Sequence, residues 1–407
     1  MNEQILTVDE ALNLINDKLA ILDNQQTVIL PDALGMTLAE DIISPINVPA
    51  YQNSAMDGYA LSASDIPQEG EKQLKQTGIA YAGKPFNGTI GNNECVRIMT
   101  GAKLPDGADT VIEQEKVKIT DDLISVGSNH KVGQNVRNIG EDIAKDTVIL
   151  ASGQCLGAAQ MGVLASLGIA SIKVRRKLRV AVFSSGDEIR SIGETLDGSQ
   201  IYDSNRYTIS SLLKNLGAEV IDLGVVPDTQ KIIQQTLAAA SHEADMIITS
   251  GGVSVGDADY IKQALQENGS IYFSKLHLKP GRPLTFGRLN QACFFGLPGN
   301  PVAVMVTFMY FVRPAIKRLL GQSVSEQLPF QATCMSELRK HSGRTEIQRG
   351  ILEQNDEHGL VVRTTGKQGS GVLSSMSRGN CFIYLPHESV SVASGDKVII
   401  HPFTQFN

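Results

Sequence analysis

The spacing of apolar side chains changes along the chain and divides it into segments of different secondary structure. Near the N-terminus, apolar residues recur at helical spacing from Ala11 to Leu19, behind Thr7 and Glu10, a pair that can form a capping box. From about residue 27 to 145, short apolar runs are interrupted by Pro, Gly, Asn and Asp. These patterns predict an N-terminal helix followed by a β-rich segment with many turns.

Strands and helices alternate from Leu178 to Leu320. Apolar runs such as Val180–Phe183 and Met246–Ile248 predict buried strands, and amphipathic helices are predicted between them, for example from Asn205 to Leu216. This alternation is typical of a mainly parallel sheet that is covered by helices on both faces. In such sheets ligands bind beyond the carboxyl ends of the strands, so we expect the functional residues in the loops there.

From about residue 327 to 407 the chain returns to short strands and turns, which predicts a small all-β domain.

The net charge of −7 and the absence of tryptophan argue against nucleic-acid binding. None of the five cysteines forms a C-x-x-C pair, and no apolar run is long enough to span a bilayer. The N-terminus lacks the basic region of a signal peptide. We therefore expect a cytoplasmic protein with free thiols.

A glycine-rich loop joins a predicted buried strand to a helix between Thr249 and Tyr260. Its glycines allow backbone N–H groups to converge on an anion, and the helix N-terminus adds a favourable dipole. The loop has neither the Walker A nor the dinucleotide-binding spacing. Asp257 and Asp259 lie where the helix begins. One of them could simply cap the helix, but two acids beside an anion site favour a divalent cation.

Other charged residues follow neighbouring strands. Asp203 and Asp228 by themselves are each interpreted as the cap of the next helix, but together with Glu188 they place several carboxylates at one sheet edge. Because such carboxylates repel each other unless they share a cation, this edge favours a magnesium site. Lys275 and Lys279 lie four residues apart and are predicted to share one face of a strand, either as a solvated edge or as phosphate ligands.

Two further segments are ambiguous by spacing alone. Asp57 and Gly58 form a dipeptide that is typical of a hairpin turn. Gly296 to Pro301 predicts a strand-to-helix turn with Pro301 at the first helical position. The spacing reveals no Ser/His/Asp triad and no Cys/His pair, so covalent catalysis is not indicated.

Several of these segments together closely resemble the molybdopterin molybdenumtransferase (MoeA) family, which is related to the E domain of gephyrin. The glycine-rich loop alone is shared with molybdopterin adenylyltransferases and CinA-like proteins, whereas the segment around Asp57 and the C-terminal β domain separate this family from them. Ser185 stands where threonine is more usual and keeps the hydroxyl. The resemblance spans essentially the whole chain and rests on residues 53–60, 97–102, 135–142, 250–260 and 296–301.

The resemblance implies a multidomain α/β plus β protein. A central three-layer α/β domain with a mainly parallel sheet is accompanied by an inserted β-rich domain, an elongated N-terminal α+β domain and a C-terminal barrel-like β domain. It also implies a homodimer whose active cleft is shared between the α/β domain of one subunit and the inserted domain of the other. The expected boundaries are 1–44 with 143–177 for the elongated domain, 45–142 for the inserted domain, 178–326 for the α/β molybdopterin-binding domain and 327–407 for the C-terminal domain.

The implied reaction inserts molybdate into adenylylated molybdopterin and releases AMP with the help of Mg²⁺. An expected further partner is the molybdopterin adenylyltransferase that supplies this substrate, and no nucleic acid or membrane is expected to bind. The alternatives are a CinA-like nucleotide pyrophosphatase, the adenylyltransferase step itself, and a gephyrin-like scaffold without enzymatic activity.

The resemblance also assigns roles to individual residues. Asp57 of the partner subunit takes part in cleavage of the phosphoanhydride, and Lys275 and Lys279 hold phosphate or molybdate. The residues assigned to catalysis are Asp57, Thr100, Asp142, Glu188 and Asp259. Those assigned to substrate binding are Arg137, Gly251, Gly252, Ser254, Gly256, Lys275, Lys279, Pro298, Pro301, Arg349 and Ser370. Those assigned to the metal are Asp228, Asp257 and Asp259.

Overall fold

The computed structural model describes residues 5–251, 260–322 and 330–406. The chain begins with α1 (Val8–Lys18), β1 (Gln25–Ile29) and β2 (Ile42–Ile43). The predicted capping box is confirmed, because the Glu10 N–H donates to Thr7 Oγ1 at 3.3 Å and the Thr7 N–H donates to Glu10 Oε2 at 2.8 Å. These two bonds satisfy N–H groups at the start of α1 that have no partner within the helix.

A six-stranded sheet follows, flanked by apolar clusters on its two faces. Its strands lie in the order β7-β4-β6-β5-β9-β8, and all neighbours except β5 and β6 are antiparallel. A separate short pair joins β3 to β10. The strands of this segment are β3 (Asn53–Ser54), β4 (Gly58–Leu61), β5 (Glu71–Ala80), β6 (Glu94–Ile98), β7 (Thr110–Glu113), β8 (Lys118–Thr120), β9 (Leu123–Gly127) and β10 (Val136–Arg137).

The chain then returns to its N-terminal segment through β11 (Val148–Leu150), α2 (Ala158–Ser166) and β12 (Ser171–Arg175). Strand β11 pairs with β2, and β12 pairs with β1. The segments before and after the six-stranded sheet therefore pair with each other, and the sheet is inserted between them in the sequence.

The central part of the chain is a three-layer α/β sandwich. Its sheet has the order β16-β13-β17-β21-β20-β18, in which the first four strands are parallel and the last two are antiparallel to their neighbours. The elements are β13 (Arg179–Ser185), β14 (Ile189–Arg190), β15 (Ile201–Tyr202), α3 (Asn205–Asn215), β16 (Glu219–Val226), α4 (Gln230–Glu243), β17 (Met246–Ser250), α5 (Tyr260–Asn268), β18 (Gly269–Lys275), β19 (Leu278–Lys279), β20 (Pro283–Leu289), β21 (Ala292–Leu297), α6 (Pro301–Thr307), a π-helical turn (Phe308–Val312) and α7 (Arg313–Leu319).

Alternate side chains of β13 show how the layers are formed. Val180 and Val182 pack into one apolar cluster together with α1, α3, α6 and α7, whereas Ala181 and Phe183 pack into the other together with α4 and α5. Because successive side chains of a strand point to opposite faces, a continuous apolar run is buried on both sides. None of the helices in the described residues has the length and apolar character needed to cross a bilayer.

The C-terminal strands form a closed barrel in the order β23-β24-β22-β26-β25, and β25 pairs back with β23. Strand β19 of the preceding segment pairs with β23 through Leu278 with Thr345 and Lys279 with Glu346, which joins the barrel to the central sandwich. The elements are β22 (Phe330–Cys334), β23 (Thr345–Asn355), β24 (Gly359–Thr364), α8 (Ser374–Arg378), β25 (Cys381–Leu385) and β26 (Lys397–Pro402).

Candidate functional site

The loops that follow β13, β16, β17 and β21 meet at one edge of the central sheet, as the strand–helix alternation predicted. The Ser185 hydroxyl donates to Asp228 Oδ1 at 3.3 Å and links the end of β13 to the loop after β16. The Ser250 hydroxyl donates to the Pro298 carbonyl oxygen at 3.2 Å and links the end of β17 to the loop after β21. Glu188 lies in the loop after β13. A single polar edge is therefore built from four separate parts of the sequence.

The interpretation of Asp228 as a helix cap is wrong. Helix α4 begins after Thr229, and no side chain caps it. The Asp228 carboxylate instead accepts the Ser185 hydroxyl and is only half-buried. It is thus available at the sheet edge, where a hydroxyl and a carboxylate offer the hard oxygen donors that Mg²⁺ prefers.

Asn205, at the start of α3, is a residue of this edge that the sequence did not reveal. Its side-chain NH₂ donates to Ser250 Oγ at 2.9 Å and to the Gly299 carbonyl oxygen at 2.7 Å. It thereby ties the turn after β17 to the turn after β21. The only sequence signal was a polar residue at the start of a helix, which is equally typical of a cap.

Gly251 has a backbone conformation and a position that exclude a side chain. Its φ is +85°, and a Cβ atom there would lie 2.3 Å from the Ser185 carbonyl oxygen. The predicted loop residues Gly252, Ser254, Gly256, Asp257 and Asp259 lie outside the described residues and stay predictions. The described start of the loop is therefore in tight backbone contact with β13, and the predicted role of the loop in anion binding stays a prediction.

We expect the Gly251→Ala variant to be less stable than the Gly217→Ala variant. Both glycines have positive φ, which costs about 1–2 kcal/mol for alanine. Only at Gly251 would the added Cβ atom also collide with a backbone atom, the Ser185 carbonyl oxygen. Thermal unfolding of both variants and the parent checks the difference. Equal losses would show that the approach to Ser185 relaxes without cost.

The prediction that Lys275 and Lys279 share one strand is wrong. Lys275 ends β18 in the central sheet, whereas Lys279 ends β19, which pairs with the barrel. Only Lys279 lines the cavity between the central sandwich and the barrel.

This cavity has a volume of about 270 Å³. It brings together four predicted substrate-binding residues from distant parts of the chain, namely Lys279, Pro298, Arg349 and Ser370. The Ser370 carbonyl oxygen accepts the Val302 N–H at 3.1 Å, so its loop is fixed to the first turn of α6, which begins at Pro301 as predicted. Charged and amide residues that the sequence did not reveal also line the cavity: Arg282, Asn300, Arg344, Glu346, Gln348 and Gln368.

Arg349 is a buried cation beside the cavity, with 1% of its surface exposed. Its Nε–H donates to Ser375 Oγ at 2.9 Å, and its terminal N–H groups donate to the carbonyl oxygens of Gln368 at 3.2 Å and Gly369 at 3.0 Å. Within the described part of the chain no carboxylate forms an ion pair with it. Burial lowers the pKa of the guanidinium to about 10, so it stays charged at neutral pH. The Glu346 carboxylate of the same cavity attracts this charge without an ion pair and opposes the lowering of the pKa, so the charge is only partly compensated and an anion in the cavity would stabilise it further.

Asp57 and Thr100 form a second cluster on the inserted sheet. Asp57 Oδ1 accepts both the backbone N–H and the hydroxyl of Thr100, each at 2.7 Å. These two bonds, of which the backbone bond has the larger effect, hold the pKa of the exposed Asp57 carboxyl below its ordinary value of 3.8. Neither residue is hydrogen-bonded to any described residue at the edge of the central sheet in its own chain.

Among the described residues, no side-chain contact brings Arg137 or Asp142 to either cluster. Arg137 is exposed on β10, where it pairs with Asn53. Asp142 is exposed, and its backbone N–H donates to the Val48 carbonyl oxygen at 3.0 Å. Their assigned roles stay predictions.

Comparison with known proteins agrees with this architecture. Three family descriptions match successive parts of the chain: "MoeA N-terminal region (domain I and II)" at residues 6–168, "Probable molybdopterin binding domain" at 181–318 and "MoeA C-terminal region (domain IV)" at 331–403. The chain is 44% identical to the molybdopterin molybdenumtransferase of Haemophilus influenzae, over 98% of this chain and 99% of that protein. The chain belongs to the MoeA family.

A gephyrin and a solved moeA structure are also similar to this MoeA-family protein. It is 32% identical to the gephyrin of Dictyostelium discoideum, over 96% of this chain and 61% of that protein. The solved structure of the molybdopterin biosynthesis moeA protein from Pyrococcus horikoshii OT3 has a TM-score of 0.85 and 29% identity, covering 98% of this chain and 99% of that chain. The predicted family and fold class are confirmed, and with them a transferase of molybdenum cofactor biosynthesis.

Proposed function

We propose that this MoeA-family protein inserts molybdate into adenylylated molybdopterin and releases AMP in a Mg²⁺-dependent reaction. The observation that carries the proposal is the buried Arg349, which has no ion pair among the described residues and borders a cavity that Lys279 also lines. Molybdate is a compact tetrahedral dianion, and its charge would compensate the buried guanidinium. The name of the Haemophilus influenzae relative supports molybdenum transfer as the reaction.

The pyrophosphate of the second substrate is proposed to bind at the nearby edge of the central sheet. Pro298 lines the cavity and accepts the Ser250 hydroxyl, so the cavity and the edge are continuous. The turn at Gly251 begins the glycine-rich loop, whose N–H groups are suited to an anion. Molybdate and the molybdopterin end of the substrate would then meet at Pro298.

Mg²⁺ would supply positive charge to the phosphoanhydride that is cleaved. Asp228 is proposed to hold it together with Asp257 and Asp259, which lie outside the described residues. The residues that the structure describes contain no group of three His, Cys, Asp or Glu side chains that could hold a metal. Substrate oxygens and the undescribed loop would therefore complete the donor set that the Asp228 carboxylate begins.

The homodimer and its shared cleft are also proposals. The Asp57–Thr100 pair presents an exposed, ionised carboxylate that is bonded to none of the described residues at the sheet edge of its own chain. It is therefore free to act on a substrate held by the partner subunit. We further propose a cytoplasmic location, in keeping with five free cysteines, and supply of the substrate by a molybdopterin adenylyltransferase.

The decisive experiment measures AMP release from adenylylated molybdopterin with Mg²⁺, in the presence and absence of molybdate. AMP release that depends on molybdate is the expected result. Release without molybdate would favour a pyrophosphatase, and no release would favour a scaffold.

The shared cleft makes a separate prediction for mixed dimers. Asp57→Ala and Lys279→Ala chains should each be inactive, because every cleft of either homodimer lacks one residue. After subunit exchange at equal amounts, half of the dimers are mixed and each has one intact cleft, so activity should recover to about a quarter of the parent value. No recovery after verified exchange would contradict catalysis across the interface.

A further inference from the structure

Glu346 is an unexpected residue in a cavity that is suited to an anion. It lies on β23 with 7% of its surface exposed, and its neighbours in the cavity wall include Lys279, Arg282, Arg344 and Arg349. A buried carboxylate at this position opposes the binding of any anion, both by repulsion and by occupying donors that the anion needs.

Both oxygens of the Glu346 carboxylate are already bound by protein donors. Lys279 Nζ lies 3.2 Å from Oε2, and the side-chain NH₂ of Gln348 donates to Oε1 at 3.0 Å. The Lys279 side chain is otherwise largely exposed, with 60% of its surface accessible. Glu346 is therefore the described carboxylate that holds this flexible lysine at the cavity.

The ion pair also crosses the junction between two parts of the fold. Lys279 belongs to the segment that leaves the central sandwich, Glu346 belongs to the barrel, and the two residues face each other in the β19–β23 pairing. Arg349 follows on the same strand, and among the residues described no carboxylate forms an ion pair with it, although the Glu346 charge attracts it and raises its pKa. The carboxylate thus pairs directly with Lys279 and acts on Arg349 only over a longer distance.

We propose that Glu346 is an internal counter-anion that competes with the incoming oxyanion for Lys279 and thereby sets the affinity of the cavity. This inference rests on the proposed function, in which the cavity binds molybdate. A transferase gains from such a residue, since an anion that is bound too tightly before transfer lowers the ground state and raises the barrier to the next step. Glu346 acts through Lys279 and is a positioning residue.

The test compares molybdate binding to the parent protein and to the Glu346→Gln and Glu346→Ala variants, by equilibrium dialysis at fixed ionic strength. Removing the carboxylate releases Lys279 and ends the repulsion, so both variants should bind molybdate at least about tenfold more tightly. Alanine is included because a glutamine amide could itself donate to the anion. General damage to the fold would weaken binding, so a gain in affinity cannot come from a structural defect.

Glu353→Gln is the matched control. Glu353 lies on the same strand, is about half exposed, and pairs with Arg363 at 3.2 Å outside the cavity. Its substitution removes the same charge from the same barrel and should leave molybdate affinity unchanged.

The outcomes separate this inference from the proposed function. If the parent binds molybdate and neither Glu346 variant binds it more tightly, the counter-anion role is overturned and the proposed cavity stands. If neither the parent nor the variants bind molybdate, both proposals are overturned. If the Glu353 control gains as much as the Glu346 variants, the effect is one of net charge and the role of Glu346 is likewise overturned.

Discussion

Replacing Arg349 with methionine is expected to lower the affinity for molybdate by at least about 100-fold, which corresponds to about 2.7 kcal/mol. Methionine is similar in length but carries no charge and no donors. The substitution removes the buried cation and the bonds to Ser375, Gln368 and Gly369 that position the loop at residues 366–371. Hydrogen bonds to charged groups contribute about 1.5–3 kcal/mol each. The loss of affinity should therefore be larger than the loss that follows from removing the charge alone.

Two further variants show what Arg349 contributes. Arg349→Lys keeps the charge but cannot donate in the same planar geometry, so it should recover only part of the affinity. Arg363→Met removes an exposed arginine from the adjacent strand β24 and should bind molybdate as the parent does. Molybdate affinity is measured alongside thermal unfolding, and a folded Arg349→Met protein with parental affinity would rule out the cavity as the molybdate site.

Replacing Asp57 with asparagine is expected to slow molybdate-dependent AMP release by about 100- to 1000-fold, the usual cost of removing one group that stabilises a transition state. Asparagine keeps an oxygen that can accept the N–H and hydroxyl of Thr100, so the local structure should persist while the charge is lost. Because the residue acts in the chemical step, the rate should fall more than the affinity for adenylylated molybdopterin.

Asp109 provides a closely matched control for Asp57. It is an exposed carboxylate of the same inserted segment, and it too accepts one backbone N–H, from Ala63, and one threonine hydroxyl, from Thr110. Asp109→Asn should therefore release AMP at the parental rate. Equal slowing in both variants would show that Asp57 only supports the local fold.

The lowered pKa of Asp57 adds a pH dependence with a definite sign. Because the bonds from Thr100 depress the pKa in the folded state, their contribution to stability is present above the ordinary value of 3.8 and is lost as the pH falls through the lower folded value. The carboxylate is thus fully ionised above about pH 5, and the pH profile of AMP release should have no limb from Asp57 there. An acidic limb that vanishes in Asp57→Asn would contradict this.

Local structure was predictable where neighbours in the sequence decide it. The Thr7–Glu10 capping box, the helix that begins at Asn205 and the turn that ends at Pro301 all appear where the sequence placed them. In each case the interacting groups lie within a few residues, so the pattern itself contains the interaction. The run of apolar residues at 180–183 likewise determined a strand buried on both faces.

Side-chain contacts between distant segments were not predictable in the same way. Lys275 and Lys279 were expected on one strand, but the chain leaves the central sheet between them because Lys279 pairs with Glu346 in the barrel. Asp228 was interpreted as a cap, yet its partner is Ser185, on a strand 43 residues away in sequence. A side chain that could bond to a nearby helix terminus can bond instead to a residue far away in the sequence. The sequence pattern does not show which of these bonds forms.

The sequence by itself determined the family resemblance, the order of the β-rich and α/β segments, and the residue types of an anion site. Only the tertiary structure decided that Arg349 is buried with no ion pair to a described carboxylate, and that Glu346 and Lys279 share its cavity. The physical reason is that burial and long-range pairing arise when separately folded segments pack together. The charge balance of a cavity at their junction is a property of that packing, and neither segment contains it alone.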